Sequence, residues 1–345
     1  MFRLVTVLTT LAWVTAAGAP VWQTALSAQP AQRASAPRGP VAVRNDRPQA
    51  GQEVLVLRHQ ELKKGAHDDY YRASRAGVWP WYEQIGTRVV GQWLVVERDG
   101  SAVASVSTED AYRLARYASV DHWRATRDSA NAQLGGNGPS REKSTQSGRD
   151  RTGVQTGSKG AYFLQGENAP TRPLYMPGLA ERYERIDSTA PSPTDEVVAV
   201  RTEAARPGRE VVELRYQRLA KGTYAQFVTA TRDAVWPWEE KLGARPLGQW
   251  QVVYPDAPSR TKESPDYDEV VTMTRYASRD HWQAMAPDRA VLLGGNGPDW
   301  RAWRSALDAQ GRPTRHTSVE LMQGEMYASP PIFTPALPER YRLAR

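Results

Sequence analysis

The sequence contains no cysteine among its 345 residues, which excludes disulfide bonds, thiolate nucleophiles and cysteine-ligated metal sites. Histidine is scarce, with five residues, and none has the His-x-x-x-His or His/carboxylate spacing of a metal site. The sequence also lacks a Gly-x-Ser-x-Gly elbow, a dinucleotide fingerprint and the paired carboxylates of a glycosidase. We therefore expect no bound metal and no cofactor, and the motifs predict no particular reaction.

Positive charge is present but not concentrated. Lysine and arginine number 45 against 38 acidic residues, for a net charge of +7 and a pI near 9.6. The basic residues alternate with acidic ones, whereas nucleic-acid binding requires a local stripe or patch of positive charge. We expect no nucleic-acid partner. A small-molecule or lipid ligand and a protein partner both stay open as hypotheses.

The N-terminus has the pattern of a secretory signal peptide. Met1-Phe2-Arg3 precedes an apolar run, Leu4 to Ala17, that ends in small residues. An uncleaved membrane anchor is the alternative, but the run is shorter than the roughly 20 residues that span a bilayer. We predict a signal peptide over 1–28, export to the periplasm or the extracellular space, and no stable membrane insertion after cleavage.

A duplication follows the leader. Aligning Glu53–Trp93 with Glu210–Trp250 gives identity at 20 of 41 positions, including Val-Trp-Pro-Trp and Gly-Gln-Trp in each copy. The stretches rich in Ala, Pro and Ser around the copies are typical of disordered segments. We predict a leader over 29–52, a first module over 53–185, a linker over 186–208 and a second module over 209–345.

Hydrophobic periodicity predicts the order β-α-β-β-α-β in each module, with strands over 54–60, 89–96, 109–117 and 160–165 in the first. Ser119 and Ser278 have the position of N-caps of the second helix. The polar stretch 140–158 predicts a mobile loop, whereas Trp300, Trp303 and Leu307 in the other copy predict an extra helix. The fold class is α+β: two ferredoxin-like βαββαβ modules that pair into an intrachain dimeric α/β-barrel.

Several short motifs resemble the NIPSNAP family. They are Leu57-Arg58-His59, Leu62-Lys63-Lys64-Gly65, Gly91-Gln92-Trp93 and Arg116-Tyr117-Ala118-Ser119, and the second module repeats the series from Leu214 to Ser278. The resemblance covers roughly 53–183 and 210–341. Lys64 and Lys221 stand where that family has proline. The resemblance implies a dimeric α/β-barrel, and it carries over no agreed catalytic residues.

Alternation along the strands suggests candidate ligand-binding side chains. We assign the apolar side of the first strand, with Leu55, Leu57 and His59, to the helices, and the polar side to the barrel interior. The interior would then hold a repeated polar set: Arg58, Gln92, Arg116, Gln165, Glu167, Arg215, Gln249, Arg275, Gln323 and Glu325. Arginine suits carboxylate or phosphate recognition. Alternatively, the arginines and glutamates pair with one another and have a structural role.

Two function hypotheses follow. The first is an exported, non-enzymatic module that binds a small molecule, a lipid or a protein partner. The alternative is an α/β-barrel enzyme, either a cofactor-independent monooxygenase or a haem-dependent oxidoreductase with His316 as a candidate ligand. His122 and His281 recur in both copies at the third helical position, and we expect a structural role at the surface for them.

Overall fold

The computed structural model describes residues 52–103, 105, 107–127, 138–168, 209–256, 259–286 and 297–326. The predicted signal peptide and linker lie outside these residues, as does the predicted leader apart from Gln52. All the described residues belong to one unit of the chain, Gly39–Arg345. In the described part of the chain, no helix has both the length and the apolar character needed to cross a membrane.

The first module supplies strands β1 (Val54–Lys63), β2 (Arg88–Arg98), β3 (Ser101–Ala102), β4 (Thr108–Tyr117) and β5 (Gln155–Asn168). Its helices are α1 (His67–Ala73), α2 (Trp79–Gln84), α3 (Val120–Arg127) and α4 (Pro139–Val154). A π-helical stretch, π1 (Ser74–Val78), joins α1 to α2.

The second module repeats this order. Its strands are β6 (Val211–Ala220), β7 (Arg245–Val253), β8 (Tyr267–Tyr276) and β9 (Thr314–Met326). Its helices are α5 (Tyr224–Ala230), α6 (Trp236–Lys241), α7 (Arg279–Ala284) and α8 (Pro298–Gly311), with π2 (Thr231–Val235) between α5 and α6.

The strands form one antiparallel sheet in the order β3-β2-β4-β1-β5-β7-β8-β6-β9, and a further pairing of β2 with β9 closes it. Within each module the order is that of a ferredoxin-like unit. The modules join twice, through β5–β7 and through β9–β2. The predicted fold class is therefore confirmed: two βαββαβ modules in a single chain form an α/β-barrel.

The sheet has apolar side chains on both faces. Its inner face carries residues from strands of both modules, including Leu55, Leu57 and Trp93, and this cluster contains no helical residue. The outer face of β1 places Val54 and Val56 against π1, α2 and α3. A corresponding cluster joins strands of the second module to α6 and α8. The helices thus cover the outside of the barrel, and the barrel interior is a core of its own.

This arrangement reverses the predicted strand faces. Leu55, Leu57 and His59 point into the barrel, whereas Arg58 lies on the helix side with Val54 and Val56. Both faces of β1 are buried, so the strand shows no polar face that would identify the outside. The predicted polar interior is likewise wrong for most of its length, because the inner face carries mainly Leu, Val, Trp and Met.

The stretch 140–158 is not the predicted loop: α4 occupies most of it, and β5 begins at Gln155. Ser147 and Arg151 on α4 are buried despite its polar sequence. The helix packs closely on π1, where a Cβ built on Gly77 would lie 2.6 Å from the carbonyl oxygen of Lys143. Tertiary contact, rather than an apolar stripe, holds this helix in place.

Candidate functional site

The predicted polar set is divided between the two faces of the sheet. Arg116 lies opposite Leu55 and Arg275 opposite Val212, so both are on the inner face near one end of the barrel. Arg116 donates to the Glu53 carboxylate, and Arg275 donates to Glu210 in the same way. Each of these arginines therefore has an acid of its own module as its partner.

Arg58 and Gln92 come together on the helix side of the first module. Both flank Arg113 across the sheet, because Arg113 pairs in register with Arg58 on one side and Gln92 on the other. Gln92 is fully buried, and its Oε1 accepts a hydrogen bond of 3.4 Å from the Ser74 hydroxyl of π1. These predicted residues thus lie between the sheet and the helices, not in the barrel interior.

Arg215 and Gln249 occupy the same places in the second module, with Thr272 between them. Gln249 donates to the Val228 carbonyl oxygen of α5 at 3.0 Å. Arg215 donates to the carboxylate of Glu213 at 2.9 Å.

The four remaining candidates lie on the two strands that join the modules. Gln165 is half-buried and Gln323 exposed, each next to a residue of the interior cluster, Leu164 or Met322. For Glu167 and Glu325 only the backbone is described. Their register partners are Gln249 and Gln92, respectively.

A cavity of about 180 Å³ lies inside the barrel, near the end opposite Arg116 and Arg275. We call it the tyrosine cavity. Leu214 and Val271 form its apolar floor. Its polar lining is Arg98, Tyr112, Tyr162, Tyr216, Arg260, Ser318 and Glu320.

Arg260 reaches the cavity from the segment between β7 and β8, and it binds residues of the other module. Its backbone N–H donates to the Ala161 carbonyl oxygen at 2.7 Å, and its side chain donates to the Tyr112 hydroxyl at 3.0 Å and to Nδ1 of His59. The guanidinium carbon also lies 5.1 Å from the centre of the Tyr162 ring. This approach requires glycine at position 160, where φ is +86° and a Cβ would lie 3.1 Å from Arg260 Cα.

The tyrosine hydroxyls at the cavity stay protonated in the neutral range. Burial is the first cause that raises the pKa of Tyr112, Tyr162 and Tyr216 above its usual value, and nearby glutamates raise each further. The Tyr216 hydroxyl donates to Glu269 and accepts from Arg218 at 3.0 Å. The Tyr162 and Tyr216 rings stack with their centres 5.6 Å apart. The cavity therefore presents hydroxyl groups, the Arg260 guanidinium and the Arg98–Glu320 ion pair above an apolar floor.

His59 is buried next to Tyr112 and Arg260, two residues of the cavity lining. Its Nε2 lies 2.9 Å from an Asp110 carboxylate oxygen, and its Nδ1 contacts Arg260. Burial lowers the pKa of His59, although the contact with Asp110 opposes this. Burial also raises the pKa of Asp110, but contacts with His59, Lys159 and Arg98 outweigh it and hold that pKa well below its usual range. Asp110 is thus an ionised anchor for His59.

His122 and His281 are structural, as expected, but buried rather than at the surface. In each, Nδ1 accepts the N–H at the end of a strand, from Ala118 at 3.1 Å or Ala277 at 3.2 Å. The other nitrogen lies 2.7 Å from the Ile85 carbonyl oxygen in one copy and 2.9 Å from that of Leu242 in the other. Each imidazole thus joins a strand end to the helix end beneath it.

Several residues of the candidate sites were not predicted from the sequence. Tyr112 and Arg260 meet only because the two modules form one barrel, and no local pattern connects residues 148 positions apart. Arg113 could have been found by comparing the copies, because the duplication has threonine, Thr272, at its counterpart. A difference in charge between corresponding positions of the two modules is therefore the sequence signal that could have identified this residue.

Comparisons with known proteins identify structural neighbours. No family model and no curated protein matches the chain. A provisionally assigned monooxygenase from Fusobacterium nucleatum is 9% identical, with a TM-score of 0.45 over 81% of this chain and 96% of its own. An uncharacterised NIPSNAP domain protein from Burkholderia xenovorans is 21% identical, with a TM-score of 0.23 over 32% of this chain and 90% of its own.

A dye-decolorizing peroxidase from Bacteroides thetaiotaomicron is also similar, with 9% identity and a TM-score of 0.33 over 82% of this chain and 96% of its own. NIPSNAP-domain proteins are thus among the structural neighbours, at low coverage of this chain. Since all three TM-scores lie below 0.5, the fold assignment rests on the strand order and pairing of this chain.

Proposed function

We propose that this protein is an exported NIPSNAP-like binding protein that holds a small molecule in the tyrosine cavity. The observation that carries the proposal is the lining of the cavity: Tyr112, Tyr162 and Arg260 face an apolar floor inside the barrel. A few convergent polar groups in an otherwise apolar concavity are typical of a ligand site. The motifs quoted above support the family resemblance, and the N-terminal apolar run supports export.

The lining favours a compact ligand with a flat apolar body and an acidic edge. A volume of about 180 Å³ is small compared with the roughly 300–1,000 Å³ of pockets for drug-sized ligands. Arg260 offers a planar guanidinium, which recognises carboxylates through paired hydrogen bonds. The faces of the stacked Tyr162 and Tyr216 suit an aromatic or planar body. A small aromatic carboxylate combines these properties.

The test is binding of benzoate, followed by calorimetry and by the shift in the unfolding temperature. We expect binding by the wild-type protein and at least a tenfold weaker affinity after Arg260→Met, because the guanidinium would carry the carboxylate. Lys262→Met is the matched control, since Lys262 is exposed on the same segment. If Arg260→Met binds benzoate as tightly as the wild type does, the assignment of Arg260 is wrong.

Native mass spectrometry of gently purified protein from the envelope fraction tests the wider proposal. A retained mass above that of the processed polypeptide would support a bound small molecule, and loss of the N-terminal 28 residues or fewer would support export. A full-length mass in the cytoplasmic fraction would contradict the proposed location.

The enzymatic alternative gains no specific support from this site. A general base must lie within hydrogen-bond reach of its substrate, and His59, which contacts Asp110 and Arg260, is not one of the residues that line the tyrosine cavity. A macrocycle such as haem does not fit a cavity of about 180 Å³. His316, the candidate haem ligand, is exposed on β9 with its ring 6.1 Å from that of Tyr216.

A further inference from the structure

Four arginines gather on the helix side of the first module, away from the tyrosine cavity. We call Arg58, Arg113, Arg127 and Arg151 the arginine cluster. They come from four elements, β1, β4, α3 and α4, and the charges of all four act on the side chain of Tyr82 on α2. Arg58 and Arg113 are register partners on neighbouring strands, a placement in which like charges destabilise a sheet.

Arg113 is the most buried member, and its guanidinium has no hydrogen-bond partner in the part of the chain that the structure describes. Its side chain is 1% exposed, and Nε, Nη1 and Nη2 all lack a hydrogen-bond acceptor among the described residues. The guanidinium carbon lies 5.4 Å from the centre of the Tyr82 ring. The Nε2 of buried Gln92, on the next strand, also lacks an acceptor there. Buried donors are nearly always satisfied in native proteins, so this group of donors indicates an absent acceptor.

The neighbouring contacts supply hydroxyls and rings rather than acids. Arg127 donates to the Tyr117 hydroxyl at 3.5 Å, and Arg151 donates to the Tyr70 hydroxyl. The pKa of Arg58 is lowered to about 10, first by burial and then by the charges of Arg127 and Arg113. The charges of Arg113 and Arg127 therefore act against that of Arg58 between the sheet and the helices.

At the corresponding positions the second module has one arginine, and acidic residues offset its charge. Its counterparts of the four arginines are Arg215, Thr272, Ala286 and Gln310. Two glutamates stand in that module where the first has neither: Glu213 replaces Val56, and Glu239 replaces Tyr82. Arg215 binds Glu213 at 2.8 Å. One copy thus carries its own acids, whereas the other carries three additional arginines and no acid at those positions.

We propose that the arginine cluster is a binding site for a phosphate-type dianion, either inorganic phosphate or the phosphate group of a small monoester. A tetrahedral dianion offers acceptors in several directions, as four guanidinium groups from four elements require. Arg58, Arg127 and Tyr82 are only half-buried, so the site is reachable from solvent. The site lies outside the barrel interior and does not depend on the ligand proposed for the tyrosine cavity.

Tyr82 provides an internal reporter. Burial raises its pKa, but the guanidinium groups of Arg127, Arg113, Arg151 and Arg58 outweigh this and bring it to about 7. A bound dianion would offset those charges and return the phenol toward its usual, higher pKa. The absorbance of tyrosinate therefore reports whether the dianion is bound at the arginine cluster. Subtracting the absorbance of the Tyr82→Phe variant isolates the signal of Tyr82.

The experiment compares the full-length protein and Arg113→Met in inorganic phosphate, in phenyl phosphate and in sodium chloride of equal ionic strength. In phosphate, we expect the wild-type unfolding temperature to rise and the Tyr82 titration to move upward, and we expect Arg113→Met to bind at least tenfold more weakly. Without phosphate, Arg113→Met should unfold at a higher temperature than the wild type, because it removes an unpaired buried charge.

Arg124→Met is the matched control, since Arg124 is an exposed arginine of the same helix as Arg127 and pairs with Asp121 at 2.9 Å; it should leave phosphate binding unchanged. If Arg113→Met does not fold, Arg127→Met at the half-buried edge carries the same expectation. Tighter binding of phenyl phosphate than of phosphate would identify a monoester as the ligand, and the reverse would identify the free ion.

Two results would overturn the proposal. One is a Tyr82 titration near pH 7 that phosphate does not move, which would make the tyrosinate itself the counter-ion. The other is phosphate binding that develops only after Glu325→Gln. Backbone register places Glu325 beside Gln92, so this result would identify its carboxylate as the resident anion.

Discussion

At the scale of single residues, Glu239 makes the second module sensitive to pH. Burial, the charge of Glu213 and the charge of Glu240 raise the pKa of Glu239, Arg215 opposes them, and the net pKa is about 8. In the unfolded chain the group has its ordinary value of 4.5. The folded protein therefore binds the proton more tightly, so this residue's contribution to stability is complete below about pH 4.5 and is lost as the pH rises to about 8.

We expect Glu239→Gln to remove that pH dependence. The measurement is the free energy of unfolding from denaturant titrations between pH 5 and pH 8.5 for both proteins. The wild type should lose stability relative to the variant as the pH rises, because only the wild type must release a proton from a buried site. Glu240→Gln, one position farther along the same helix, is the control. A constant difference between wild type and Glu239→Gln across this range would contradict the assigned pKa.

Single residues also mark the limit of what the sequence could predict about the sites. Arg58 and Gln92 were identified, because both repeat between the modules. Arg113 and Arg260 were not, because neither repeats: Thr272 replaces the first, and the second lies on a segment whose length differs between the copies. The duplication identifies positions that both modules need for folding. A site that belongs to one module lies where the copies differ.

At the scale of secondary structure, two glycines allow the strands of the two modules to meet. A Cβ on Gly324 of β9 would lie 2.3 Å from the Gln92 carbonyl oxygen of β2. A Cβ on Gly166 of β5 would lie 2.5 Å from the Gln249 carbonyl oxygen of β7. These contacts involve backbone atoms, which cannot move aside without disturbing the pairing that closes the barrel.

We expect Gly324→Ala to destabilise the protein by about 1–3 kcal/mol, the usual cost of overpacking. Gly148→Ala is the matched control. Gly148 lies within α4 and a Cβ there meets no atom within 4 Å, so alanine should stabilise the protein by about 0.5–1 kcal/mol. Denaturant unfolding measures both changes. A loss of stability from Gly148→Ala equal to that from Gly324→Ala would show that close strand approach is not the cause.

The secondary structure elements were more predictable than their orientation. Seven of the ten residues of β1 were predicted as a strand, and the capping role of Ser278 is confirmed by its acceptance of the His281 N–H at 3.1 Å. The face of β1 was predicted wrongly because Val54 and Leu55 are both buried, one against helices and one inside the barrel. α4 was missed because its buried residues, Ser147 and Arg151, are polar and leave no apolar period.

At the scale of the whole molecule, we expect a single unfolding transition. The modules share two antiparallel strand pairs, β5–β7 and β2–β9, and one interior cluster drawn from both. The strands of neither module can separate without exposing the interior that both modules share. Calorimetry should therefore give one peak whose calorimetric and van't Hoff enthalpies agree. Two resolved peaks in the wild-type protein, of which Gly324→Ala abolishes only one, would show that the modules unfold independently.

The joining of the modules could be predicted from the duplication, because one ferredoxin-like unit leaves a sheet face bare and a second unit covers it. The partners that meet across the barrel, such as Tyr112 and Arg260, could not be predicted, since their contact depends on the register with which the two sheets join.

The long separation in sequence between β9 and its partner strand β2 has a consequence during synthesis. β9 pairs with β2 on one side and with β6 on the other. Both partner strands are synthesised before β9, so each has one unpaired edge until β9 leaves the ribosome. From Arg98, the last residue of β2, to Met326, the last of β9, is 228 residues, which take roughly 10–50 s at about 5–20 residues per second. During that interval the nascent polypeptide presents open hydrogen-bonding edges, so a chaperone that covers extended strands would have its greatest effect on yield then.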